Sequence, residues 1–276
     1  MNTTVKRSIF GVLFLAVMLG GLLFSEYLFK LLFAFITGVM LYEFYKMTMG
    51  HSYRTSQVEA IWAGVILFLA GTYYFFGGHK PQFIGVGILL VLFVMICTLF
   101  EKDHKDFQKT GFLYAGLLYI GLPLALSNAV VCKDGEFSGL LMLAFFIIIW
   151  SSDVGAYCFG MLLGQKVWPA KMCPEISPKK SWAGFIGGWI TVLLAAWILY
   201  RTGLLAFPLV HVLIMATLMH VMGVFGDLFE SLWKRSAGIK DSGNLIPGHG
   251  GLLDRFDSAL FAIPVGYVYL LILSLI

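Results

Sequence analysis

The sequence predicts an all-α fold: a polytopic integral membrane protein with about nine transmembrane helices. Three observations predict it. Hydrophobic residues make up 59% of the 276-residue chain and charged residues only 12%, far from the balance of a soluble domain. Mean hydropathy is +0.88, and the apolar residues come in long blocks rather than short alternating runs. Of the 19 Lys and Arg, fifteen fall on one set of alternate loops and four on the other, the asymmetry expected when a chain weaves back and forth across a bilayer.

The elements follow in order. Uncharged stretches at Ser8–Ser25, Ala60–Gly78, Pro81–Phe100, Thr110–Cys132, Trp182–Tyr200, Thr202–Gly226 and Ser258–Ile276 can each cross about 30 Å of hydrocarbon at about 1.5 Å per residue. Each reads as a helix. Tyr27–Tyr45 adds a span with Lys30 and Glu43 near its ends, where long side chains snorkel, and Phe137–Leu163 adds one with Asp153 inside it. Lys6-Arg7 before an apolar core resembles a secretory leader, but Leu23-Phe24-Ser25-Glu26 offers no small-x-small cleavage site, so the segment reads as a retained helix.

The cation-poor face carries Lys30, Lys80, Lys133 and Arg201, which puts the N-terminus in the cytoplasm and the C-terminus outside. The formal charge of +4 comes from the inner loops. It reflects topology and implies no nucleic-acid partner. Cys97, Cys132, Cys158 and Cys173 show no CxxC pairing, so neither a disulfide framework nor a zinc site is expected. The mixed-sign run 101–106 reads as a solvated loop. Residues 1–135 are expected to be an N-terminal scaffold. Residues 136–276 are expected to be a catalytic region with cytoplasmic loops at 164–182 and 228–257, all within one membrane domain.

Chemistry is concentrated late in the chain. Asp227, Glu230, Ser231 and Lys234 recur at i, i+3, i+4 and i+7, one face of a helix. Asp254 and Asp257 lie one helical turn apart at the entry to the last apolar segment, with Arg255 between them. Pro247-Gly248-His249-Gly250-Gly251 joins the two acidic regions. Acids on two helices at one membrane level, bridged by bare backbone, form a plausible Mg²⁺ cradle, because that ion takes one or two carboxylates plus waters and phosphate oxygens. His249 reads as a hydrogen-bond donor to phosphate. His211 and His220 sit on an apolar helix and read as packing residues.

Two further clusters stand upstream. An ionised Asp153 at mid-helix costs roughly 2.5–3.5 kcal/mol on insertion scales and should face protein or water, with Tyr157, Gly160 and Gly164 continuing its face. Ser177-Pro178-Lys179-Lys180-Ser181-Trp182 puts cations and hydroxyls just before a new helix, a setting that suits phosphate. A positive-inside anchor is its plainer reading. There is no Walker A sequence, nor the strand–helix alternation of a soluble nucleotide-binding fold.

Ser231-Leu232-Trp233-Lys234-Arg235, then Lys240-Asp241-Ser242-Gly243, then Ile246-Pro247-Gly248-His249-Gly250-Gly251-Leu252-Leu253-Asp254-Arg255-Phe256-Asp257 resembles the signature of phosphatidate cytidylyltransferases, also called CDP-diacylglycerol synthases. The 177–182 block and the Asp153 segment look like two more of that family's blocks. Two positions depart from the pattern: Trp233 stands where an aliphatic residue or Phe is usual, and Ala183 replaces a common Glu.

The resemblance implies the reaction of CTP with phosphatidate to give CDP-diacylglycerol and pyrophosphate, with a Mg²⁺ cofactor and a second cation allowed in the same site. Asp227 and Asp254 match the family's cation-binding acids, with Asp257 close behind. Lys234, Arg235 and Lys240 would hold nucleotide phosphates. Asp241 would order the Lys240 loop or the metal's waters. Ser177, Lys179 and Lys180 would receive phosphate, with Ser231, Arg255 and Asp153 as further substrate contacts. The expected location is the bacterial inner membrane, and small-residue helix faces are compatible with a homodimer. A CTP-dependent polyprenol-type lipid kinase is the nearest rival. An ion-coupled transporter is the rival from another class, since intramembrane acids mark ion paths.

Overall fold

The computed structural model describes residues 3–101, 106–164, 167–245 and 250–276, with side chains from Ile9 onward. Helices α1 (Thr3–Leu23), α2 (Glu26–Met49), α3 (Arg54–Phe76) and α4 (Gln82–Thr98) come first. A segmented helix follows as α5 (Gly111–Gly116), a π-turn at Leu117–Gly121 and α6 (Leu122–Val130). Strands β1 (Cys132–Lys133) and β2 (Glu136–Phe137) precede α7 (Leu140–Leu162). Strands β3 (Lys171–Cys173) and β4 (Ser177–Ser181) lead into α8 (Trp182–Arg201), then α9 (Leu209–Ser236) and α10 (Leu253–Ile272).

Among the described residues, 7 helical segments are long and apolar enough to cross a membrane, and the shorter apolar helices Ile9–Leu23 and Gln82–Thr98 occupy the other two expected positions. Large apolar side chains such as Leu31, Trp62, Leu89 and Leu118 are more than 60% exposed, as a lipid-facing surface requires and a water-facing one resists. The protein is an all-α polytopic membrane protein.

Three boundaries differ from expectation. Helix α9 starts at Leu209 rather than Thr202, because Gly203 turns the chain at φ 78° and Pro208 supplies only a carbonyl, accepting from His211 N at 2.9 Å. The same helix runs past Gly226 to Ser236, supported by the Glu230–Lys234 ion pair at i, i+4. Helix α10 starts at Leu253, ahead of the expected Ser258. Two short antiparallel hairpins, β1–β2 and β3–β4, also interrupt the helices. Asp134 and Gly135 both have positive φ, 54° and 82°, the Asp-Gly two-residue turn that matches strand twist.

The chain forms two compact units, Met1–Gly139 with Ala237–Arg255, and Leu140–Ser236 with Phe256–Ile276. In the first, the rings of Phe29 and Phe33 lie tilted with centroids 4.4 Å apart, with Phe68 at 6.1 and 6.4 Å. Asn128 and Thr72, buried in this core, are hydrogen-bonded, as apolar surroundings demand. Asn128 Nδ2 donates to the Phe68 and Ala125 carbonyls at 3.0 Å, and Thr72 Oγ1 donates to Asn128 Oδ1 at 2.8 Å. At the edge of this unit the Lys109 ammonium and the Ser52 hydroxyl hold the exposed Asp106 carboxyl below its ordinary range.

In the second unit, α7 packs along α8, with Gly160 and Gly184 in near contact. The face that approaches α8 carries Ser152, Gly155, Ala156 and Gly160, whereas Asp153 and Tyr157 are exposed. Close approach and the acid therefore lie on adjacent faces rather than on one. Both expected packing histidines are tied down: His220 lies 2.7 Å from Ser152 Oγ and 3.1 Å from the Phe185 carbonyl, and His211 lies 2.9 Å from Tyr269 Oη.

Candidate active site

Helices α9 and α10 approach closely in the second unit because Gly226 has no side chain. A Cβ there would lie 2.5 Å from the Asp257 carbonyl and 3.3 Å from Phe261 Cβ. One residue later on α9, Asp227 accepts a hydrogen bond from Ser231 Oγ at 3.3 Å. Asp257 is half-buried and within electrostatic reach of Asp227, Glu230 and Asp153. Four carboxylates thus share one neighbourhood. In a low-dielectric setting such crowding is tolerated only with cations at hand.

Lysines pair with two of these acids, Lys180 with Asp227 and Lys234 with Glu230. Ser177-Pro178-Lys179-Lys180-Ser181 forms β4 rather than a loop, paired with β3 in the register Lys171↔Ser181 and Cys173↔Ser177. The pairing lets Lys180 and Lys179 point opposite ways, as strand alternation requires. Lys179 is exposed, whereas Lys180 is partly buried, its Nζ 2.9 Å from Asp227 Oδ2 and 3.3 Å from the Val224 carbonyl. Ser181 accepts from Gly184 N at 3.1 Å as the N-cap of α8. Its hydroxyl is thereby committed to a helix end.

The polar stripe on α9 faces inward. Glu230 is fully buried, Ser231 and Lys234 nearly so, and Glu230 pairs with Lys234. Arg235 is exposed at the end of the helix, its Nε donating to the Ile176 carbonyl at 3.4 Å. That contact ties the β3–β4 turn to α9.

In the first unit, Asp254 Oδ2 accepts from Ser242 N at 3.0 Å, Ser242 Oγ at 3.0 Å and Gly251 N at 2.8 Å. Three donors on one oxygen fix the orientation of that carboxylate. Lys240, Asp241 and Arg255 are exposed around it. His249, with Pro247 and Gly248, lies outside the described residues.

Sequence reasoning missed Glu43. Placed near a span end as a snorkelling residue, it is instead 4% exposed and binds the backbone beside Asp254. Its only sequence signal was a carboxylate in the last turns of an otherwise apolar helix. Glu230 was read as part of the stripe but given no role, and its complete burial with Lys234 was not visible from helical spacing alone.

Among the described residues, no group of three or more His, Cys, Asp or Glu converges to ligate an ion unaided. The donor chemistry nevertheless fits Mg²⁺. The clustered groups are carboxylates, the hard oxygen ligands that ion prefers, and it needs only one or two when phosphate and water complete its shell.

The sequence matches the family described as the cytidylyltransferase family over residues 5–273. A phosphatidate cytidylyltransferase of Bacillus subtilis (strain 168) is 36% identical over 207 residues, covering 75% of each chain. One from Pseudomonas aeruginosa is 34% identical over 268 residues, covering 94% of each chain. One from Staphylococcus aureus (strain COL) is 36% identical over 182 residues, covering 64% of this chain and 65% of the relative.

Proposed function

Since this chain belongs to the cytidylyltransferase family and is a nucleotidyltransferase, we propose that it transfers the cytidylyl group of CTP to phosphatidate, releasing pyrophosphate and leaving CDP-diacylglycerol in the membrane. The relatives' name supplies the lipid substrate. The observation that carries the reading is the set of carboxylates Asp153, Asp227, Glu230 and Asp257 in one neighbourhood, with Lys180 on Asp227.

The chemistry needs no protein nucleophile. An oxygen of the phosphatidate phosphate attacks the α-phosphorus of CTP, the bond to the β-phosphate oxygen breaks, and pyrophosphate leaves with its electrons. Both reactants are anions, so catalysis rests on neutralising charge and aligning attacker with leaving group. Asp227, Asp254 and Asp257 are the carboxylates assigned to Mg²⁺, which when bound supplies charge neutralisation on the triphosphate. Lys180 exchanges part of its hold on Asp227 for phosphate oxygen. Lys179, Arg235, Lys240 and Arg255, all exposed, receive the remaining phosphate charge, and Ser177 donates a hydrogen bond. Lys234 offsets the charge of buried Glu230 and turns its remaining N–H donors to nucleotide phosphate.

Topology favours the same chemistry. With the cation-rich loops inside, the polar ends of α9 and α10 face the cytoplasm, where water-soluble CTP meets a lipid headgroup at a bacterial inner membrane. The N-terminus is then cytoplasmic and the C-terminus outside.

The test uses purified protein with phosphatidate in mixed micelles, Mg²⁺, and CTP labelled in either the α- or the γ-phosphate. Label from the α-position should enter lipid and label from the γ-position should leave as pyrophosphate. Transfer of γ-label to lipid would replace this reading with a lipid kinase.

A further inference from the structure

Glu43 is a carboxylate on α2, a helix to which the reaction described above assigns no part. Its Oε1 accepts from Leu252 N at 3.1 Å, and its Oε2 accepts from Leu253 N at 2.8 Å and lies 3.3 Å from Ser242 Oγ, whose one proton it shares with Asp254 Oδ2. All three donors belong to the segment that carries Asp254. Leu252 and Leu253 sit at the mouth of α10, where amide groups have no partner within the helix and a negative charge is favoured. Glu43 therefore caps α10 from another part of the chain.

The fit depends on bare backbone. A Cβ on Gly243 would run into the Glu43 carboxylate, with Cδ at 2.8 Å, and one on Gly251 would stand 2.6 Å from Glu43 Oε2 and 2.7 Å from Gly243 N. The glycines of this segment thus admit a carboxylate into the turn. Ser242 completes the link: its hydroxyl lies between Glu43 Oε2 and Asp254 Oδ2, at 3.3 and 3.0 Å. The orientation of Asp254 is connected through one hydroxyl and the first turn of α10 to a buried anion.

We propose that Glu43 is a positioning residue for the metal site: it holds Ser242 and the Leu252–Leu253 entry to α10 so that Asp254 presents a fixed carboxylate to the divalent cation. This rests on the assignment of Asp254 to the metal. Ion-pairing alone does not account for the arrangement, since among the described residues Glu43 is held by the Leu252 and Leu253 N–H groups and the Ser242 hydroxyl, all neutral donors. In a Glu43→Gln variant one accepting oxygen becomes an NH₂ group facing an N–H or O–H donor. The turn must then shift.

The experiment measures Mn²⁺ binding, metal alone, to purified full-length protein by the electron paramagnetic resonance signal of free Mn²⁺, with a metal-free thermal melt beside it. Glu43→Gln should weaken Mn²⁺ binding roughly 10–100-fold, the range for residues that orient metal ligands, and Ser242→Ala should weaken it in the same direction. Unchanged Mn²⁺ affinity in both variants, whether or not the melt falls, overturns the inference. If Glu43→Gln does not accumulate as folded protein, Ser242→Ala decides by the same criterion. Asp254→Asn separates the two levels. Loss of binding there with none in Ser242→Ala and Glu43→Gln removes only the role of Glu43, whereas full binding in Asp254→Asn removes the metal assignment and this inference with it.

Discussion

Lys180 Nζ lies 2.9 Å from Asp227 Oδ2 and reaches the Val224 carbonyl at 3.3 Å, so a strand preceding α8 supplies the countercharge for an acid on α9. The pair is part-exposed, with side chains 21% and 34% accessible. Its worth to stability is small at that exposure. Its value is the placement of an ammonium beside a carboxylate. Lys180→Met should lower kcat/KM for CTP by about 10²–10³, the usual cost of losing one preorganised charge donor, while the melting temperature stays near that of the unaltered protein. Unchanged steady-state kinetics would remove Lys180 from the site.

Asp227→Asn and Asp254→Asn should each abolish turnover while leaving protein folded in the membrane. Asn preserves shape but not the anionic oxygen that Mg²⁺ requires. Radiolabel transfer and detergent-extracted size-exclusion profiles read the two halves of the expectation. Activity like that of the unaltered protein in either variant refutes its place at the metal.

Lys234→Ala leaves Glu230 buried opposite an alanine. Breaking a buried pair from one side costs about 3–5 kcal/mol, so this variant should melt markedly lower. The double replacement Glu230→Gln with Lys234→Met should recover most of that stability yet still show a raised KM for CTP. Unimpaired nucleotide kinetics in the double variant would confine Lys234 to a supporting role in the helix.

Gly226→Ala and Gly223→Ala test the α9–α10 contact as a matched pair. At Gly226 a Cβ meets the Asp257 carbonyl at 2.5 Å, but at Gly223 the nearest atoms are 3.6 Å or further. Gly226→Ala should destabilise by about 1–3 kcal/mol, the range for overpacking, and lower turnover through displacement of Asp257. Gly223→Ala should do neither. Thermal melts and label transfer distinguish them.

Much of this was legible in the chain. The apolar blocks announced the helices, since a span of hydrocarbon admits little else, and the acids at helical spacing announced where Asp227 and Asp257 would sit. Single-sequence periodicity could not reveal pairings across the chain. Nothing in the neighbourhood of Glu43 says that its donors come from Ser242, Leu252 and Leu253, and nothing near Lys180 says that its partner is Asp227. The β1–β2 hairpin was readable from Asp134-Gly135, but the run is too short to stand out against long apolar spans. The strand at 177–181 was hidden by the composition usual for an anchor loop.

Glu43 and Leu252 are bonded across 209 residues. During synthesis the early helices are made and inserted long before their partner segment leaves the ribosome, so this carboxylate must wait in the membrane without its donors. A chain arrested before Ala237 would keep the helices of its first unit but lack that unit's returning segment. Assembly of the N-terminal half is thus a late event in the life of the nascent polypeptide.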